Sequence, residues 1–200
     1  MKQVIALLFV LSLLAAACSN PPAPHHRMGE EERGNAYADS INKGLIAPDT
    51  MKRSIARTAM RNIGNAHVHI NYHSPGVKGR IIWGGLVPYG QVWVTGAHSA
   101  TSVQFSEAVE IAGKKVEAGT YALFTIPGEK EWVVILNKNH QQHLADDYNQ
   151  TEDVLRTTVL PTANNMVQRL TYSVNKTGDA AGTITMEWEK LKLELPFKSL

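Results

Sequence analysis

Ala66-His67-Val68-His69-Ile70-Asn71-Tyr72-His73 is the stretch that decides the fold. Val68, Ile70 and Tyr72 alternate with His67, His69, Asn71 and His73, and an apolar residue at every second position marks a strand with one buried face. The same period continues toward the C-terminus. Ile81-Ile82-Trp83, Val92-Trp93-Val94 and Val103 to Phe105 are short apolar runs bounded by Gly or Pro, each read as a strand. Val109 to Ile111 and Val116 flank Ala112-Gly113-Lys114-Lys115, which reads as a hairpin. Tyr121–Ile126, Trp132–Leu136, Val154–Leu160 and Leu170–Val174 extend the series. In the last strand Ile184, Met186 and Trp188 share one phase, and Leu191, Leu193, Leu195 and Phe197 the other. That reversal predicts a β-bulge near Glu189-Lys190. About nine or ten strands of this kind predict an all-β domain over residues 64–200, an antiparallel sandwich or barrel. The polar stretch from about 138 to 151 reads as a loop with a helical turn.

Upstream of this domain the composition changes. Residues 1–17 have a short positive start, an apolar run from Val4 to Leu14 and three alanines, the pattern of a secretory signal too short to span a bilayer. Leu14-Ala15-Ala16-Ala17-Cys18 resembles a bacterial lipobox. That resemblance implies cleavage before Cys18, lipidation of its thiol and new amino terminus, and a stable membrane anchor through several acyl chains. Ser19 at the following position implies sorting to the outer membrane, so the expected location is the cell envelope, facing the periplasm. Residues 18–30, with three prolines and the pair His25-His26, read as a tether. Residues 31–63 read as an extension of coil and short helix.

Gly79-Arg80-Ile81-Ile82-Trp83-Gly84-Gly85-Leu86-Val87-Pro88-Tyr89-Gly90, followed by Trp93-Val94-Thr95-Gly96-Ala97-His98, resembles the hallmark of the bacterial domain-of-unknown-function family 2911. Ala118-Gly119-Thr120-Tyr121 and the closing Trp188-Glu189-Lys190 are similar to that family too, so the likeness runs from about Thr58 to Phe197. Val94 and His98 stand where many members carry Arg and Asn. The resemblance implies an all-β envelope domain and brings no established activity.

Charge and cysteine content exclude several functions. The 20 Lys+Arg against 18 Asp+Glu in 200 residues are far from the basic footprint of a nucleic-acid binder. The single cysteine excludes an intramolecular disulfide framework and a Cys-rich zinc module. There is no Gly-x-Ser-x-Gly elbow, and no phosphate-cradling glycine loop opens a helix. Trp83, Trp93, Trp132 and Trp188 lie in apolar runs and read as core residues before sugar-stacking ones.

Histidines remain the sharpest chemical feature. His67, His69 and His73 share one strand face, and neighbours at i and i+2 lie about 7 Å apart, close enough for two imidazoles to meet one cation. His73, beside Ser74-Pro75-Gly76, is expected at the strand's end and is the weakest of the three. His98 lies in a loop, and His140 and His143 lie in the polar insertion. The candidate metal set is His67, His69, His98 and His143, with Asp146 or Asp147 as a carboxylate partner and zinc or copper as the ion, and the alternative is solvated or hydrogen-bonded histidines that hold no metal. His67-Val68-His69 opens like a cupin motif, but neither the later Glu nor the Pro-x-Gly-x-x-His follows. The expectation is a lipid-anchored binding module with a histidine-lined pocket for a small ligand or metal. A metal-dependent hydrolase using the same histidines, and an interaction module with a protein partner and no small ligand, are the alternatives.

Overall fold

The computed structural model describes residues 26–200. The signal segment, Cys18, His25 and most of the expected tether lie outside the described residues. Strand β2 (Ala66–Ser74) buries Ala66, Val68, Ile70, Tyr72 and Ser74 and turns His67, His69, Asn71 and His73 to the other face. The alternation thus fixes both faces of this strand. It runs one residue past His73, which therefore stands on the same side as the other two histidines.

Strand β1 (Ile55–Ile63) pairs with β2 along its whole length, from Ile55 opposite Ser74 to Ile63 opposite Ala66. This corrects the expectation of coil and short helix through residue 63. Arg57, Arg61 and Asn62 interrupt the apolar alternation, because Arg57 directs its guanidinium to partners of its own and β1 is an edge strand. Strands β3 (Thr101–Phe105), β4 (Val109–Ile111), β5 (Lys114–Val116), β6 (Gly119–Ile126), β7 (Trp132–Asn137), β8 (Asp153–Val159), β9 (Thr162–Lys176) and β10 (Ala181–Ser199) follow. They form two antiparallel sheets, ordered β1-β2-β3-β6-β7-β8 and β5-β4-β10-β9. The β4–β5 hairpin forms as expected, and the β9–β10 register shifts on both sides of Glu189, whose φ is 55°. That is the bulge the phase reversal requires.

Ile81–Trp83 and Val92–Val94 do not form strands. Trp83 bridges only to Val87 within a turn, and Trp93 only to Thr125 at the end of β6. Gly84, Gly85, Pro88 and Gly90 punctuate this segment, and Pro88 has no N–H to give a ladder. The apolar residues instead aim inward from loops. Trp83, Trp93, Trp132 and Trp188 pack against one another, with Trp83–Trp132 centroids 4.8 Å apart and Trp93–Trp188 stacked at 5.8 Å. Reading these tryptophans as core residues is correct.

The main core lies between the sheets, around Val68, Ile70, Phe105, Leu136, Leu170 and Trp188. A second cluster lies on the outer face of β6 and β7, where Ala122, Phe124 and Ile135 meet Val94 and Ala100. Residues 92–100, with Ala145 and Tyr148 of the polar insertion, cover that half of the outer face. The half formed by β1, β2 and β3 is half-buried to exposed among the described residues, and the β2 histidines stand on it.

Helix α1 (His26–Asn42) starts inside the segment expected to be tether. Gly34, Ala38 and Ile41 are its buried stripe, at helical spacings of four and three. Asn42 anchors its end: Nδ2 donates to Arg169 O and Thr171 Oγ1, and Oδ1 accepts from Arg169 N. No helix among the described residues is long and apolar enough to cross a membrane.

Candidate functional site

The open half of the outer face meets the covered half at a step, and a cleft of about 600 Å³ lies there. Asn71 and His73 of β2 and Ser102 of β3 line one side; His140, Gln142 and His143 of the polar insertion line the other. Two backbone bonds hold the insertion in place: Ala100 N donates to Gln142 O at 3.0 Å, and Leu144 N to His98 O at 2.7 Å. Gly96 lets the covering segment close on β2, since a Cβ there would lie 2.8 Å from Thr101 Oγ1 and 3.2 Å from His73 O. This approach sets the His98 ring edge to face on the His73 ring, with centroids 5.4 Å apart.

Local backbone geometry around the cleft is unusual. Thr95, His98 and Leu144 have φ values of 53°, 63° and 55°. Non-glycine residues adopt this left-handed region at a cost of roughly 1–2 kcal/mol each, and a β-branched threonine does so rarely. Such strain persists only where surrounding contacts impose it, and it gathers at functional sites. Here Tyr172 Oη donates to Thr95 O at 2.9 Å, and Leu144 N holds His98 O.

The cleft carries little net charge. Arg57 borders it, but its guanidinium pairs with Asp39, donates to Asn35 Oδ1 and Thr171 Oγ1, and lies 5.8 Å from the Tyr72 ring centre. Burial lowers the His73 pKa below its ordinary value, and the neighbouring charge of His98 lowers it further. His73 is therefore neutral at pH 7, with one ring nitrogen as donor and the other as acceptor. Gln142 is 3% exposed and gives its Nε2 to Asn139 O, while its Oε1 has no donor among the described residues. A buried acceptor without a partner costs about 1–3 kcal/mol unless a ligand or water satisfies it.

The expected metal set is not brought together. His67 and His69 form a pair with centroids 6.2 Å apart, and His67 Nδ1 lies 2.6 Å from Asn62 Oδ1. His73 is about 13 Å along the strand from His69, and His98 joins His73 there. His143 is in the opposite wall, its backbone bridged to Ser99. Asp146 and Asp147 are exposed in the insertion. Among the described residues no three His, Cys, Asp or Glu side chains stand close enough to hold one metal ion. The donors do not fit a zinc or copper centre of the expected composition, because alternation aligns histidines along a strand without making them converge.

In the sequence His73 is the weakest candidate of its strand, and Gln142 does not stand out. The signal for His73 was its parity with His67 and His69. For Gln142 the sequence carries none, because its burial depends on how the insertion folds back.

No curated protein and no solved structure matches the chain. Residues 54–197 match the model of a family described as a protein of unknown function, DUF2911. The match spans the strands of both sheets and both walls of the cleft, and the chain belongs to the DUF2911 family.

Proposed function

We propose that this domain is a binding module that takes an uncharged polar ligand, a small saccharide or a short peptide, in the histidine-lined cleft. The observation that carries the reading is a cleft of about 600 Å³ with Gln142 in its wall, a side chain whose buried Oε1 has no partner among the described residues. Donors and acceptors of both kinds line the cleft: the rings of His73, His140 and His143, the amide of Asn71 and the hydroxyls of Ser99 and Ser102. That set suits hydroxyl- and amide-bearing ligands, and the volume lies in the range of small-molecule sites. Left-handed Thr95, His98 and Leu144 support a rigid, preorganised site, which lowers the ordering cost of binding.

In the same proposal the domain is carried at the cell envelope by lipid on Cys18 and faces the periplasm from the outer membrane. The support is the Leu14-to-Cys18 junction after an apolar run. Calorimetric titration of the full chain with N-acetylglucosamine and with N-acetylalanine amide, an uncharged peptide, tests the ligand. The expected result is saturable binding of one of them that Gln142→Ala and His73→Ala each weaken. No binding of either at about 10 mM, well above the millimolar range of weak sites, would contradict the proposal.

A further inference from the structure

A second cleft, of about 320 Å³, opens on the far side of His98. Lys52, Arg53, Lys78 and Arg80 stand around it, and Trp93 and Trp188 line its apolar side. We propose that it binds a ring-bearing organic phosphate, with the phosphate held by these cations and the ring laid against Trp93, which Trp188 backs from the core.

Charge is the first argument. No acidic residue lines this cleft, and among the described residues none of the four cations is paired with a carboxylate. Lys78 Nζ donates to Met51 O, and the Arg80 guanidinium donates to Val77 O and Gly76 O. These bonds fix two cationic side chains in place without neutralising them. Asp49, the carboxylate that comes closest to Gly76, is bound to Arg169. Four uncompensated positive charges around one recess suit a doubly charged phosphate monoester better than a single carboxylate, and the Arg fork matches its oxygens.

The second argument is the tryptophan side. Trp188 is 1% exposed, and its Nε1–H has no acceptor among the described residues. Trp93 is partly exposed and fixed by its Nε1–H donating to Gly96 O at 3.1 Å. An immobilised indole beside cations is the arrangement that accepts a planar or sugar ring with an anionic tail. The cleft is a recess, not a flat basic face, so a small soluble ligand fits it.

Calorimetry and tryptophan fluorescence on the full chain, with phenyl phosphate, inorganic phosphate and benzyl alcohol as probes, test this. Phenyl phosphate should bind saturably and change the tryptophan emission, about tenfold more tightly than either other probe. Lys52→Gln with Arg53→Gln removes two exposed charges and should weaken binding about tenfold. Raising the salt from 0.05 to 0.5 M should weaken it as well. His140→Ala, on the far wall of the histidine cleft and not lining this one, should leave it unchanged, which separates the two sites. Absence of phenyl phosphate binding, equal binding of inorganic phosphate, or indifference to the charge-removing pair would overturn the proposal.

Discussion

The imidazole of His98, on a loop, meets the imidazole of His73, on β2, edge to face with ring centroids 5.4 Å apart. The contact joins the covering segment to the open sheet face and lies between the two clefts. It also makes one histidine sensitive to the other's charge. Burial and then His98 lower the His73 pKa below the ordinary value of 6.5. The folded state thus binds fewer protons than the unfolded chain near pH 6, and stability falls as pH drops below about 6.5. Urea midpoints between pH 7.5 and 5 should show that decline. His73→Gln should reduce it, and His98→Ala should raise the His73 pKa measured by NMR.

Arg169 and Asp49 support the fold elsewhere. Arg169 is 0% exposed, its Nε lies 2.8 Å from Asp49 Oδ2, and its guanidinium donates to Ser74 O and Met51 O. It thereby ties the chain between α1 and β1 to both sheets. Asp49→Ala should cost about 3–5 kcal/mol in urea unfolding, since it leaves a buried cation unpaired. Burial pushes the Asp49 carboxyl up, but the Arg169 and Tyr37 bonds outweigh this and hold it below its ordinary value. Its contribution is therefore present above about pH 4 and lost as pH falls through the lower folded value.

The two faces of β2 should respond differently to substitution. Ile70 is 0% exposed, so Ile70→Asp buries an unpaired charge and should abolish cooperative folding. His67→Ala, on the half-buried outer face, should change stability by about 0.5 kcal/mol or less. Thermal unfolding of both variants checks the assignment.

Cys18→Ser should release the protein from the membrane fraction or leave it unprocessed, because the proposed acyl chains have no other attachment point. Normal processing together with unchanged fractionation would contradict lipid anchoring.

Strands buried on one face, such as Ala66–Ser74, were legible because alternation records a core directly. The β10 bulge was legible for the same reason, as a change of phase. Strand β1 was not, because Arg57 sits at a core-facing position with its charge satisfied by Asp39 on α1, a partner no local pattern announces. Trp83 and Trp93 misled in the opposite direction: their runs look like strands, yet loops carry them into the tryptophan cluster. The site was half legible. Parity placed His73 on the correct face, whereas its neighbours His98 and Gln142 arrive through the fold of two loops.

The most direct test of the account is an NMR titration of the isotopically labelled full chain with N-acetylglucosamine and with N-acetylalanine amide, following the imidazole resonances and the Gln142 side-chain amide. The account predicts that one of these ligands shifts His73, His143 and Gln142 together with a single saturation curve. It also predicts that His67 and His69 stay in place and that His73→Ala weakens the response. Unmoved cleft resonances, or shifts confined to His67 and His69, would contradict it.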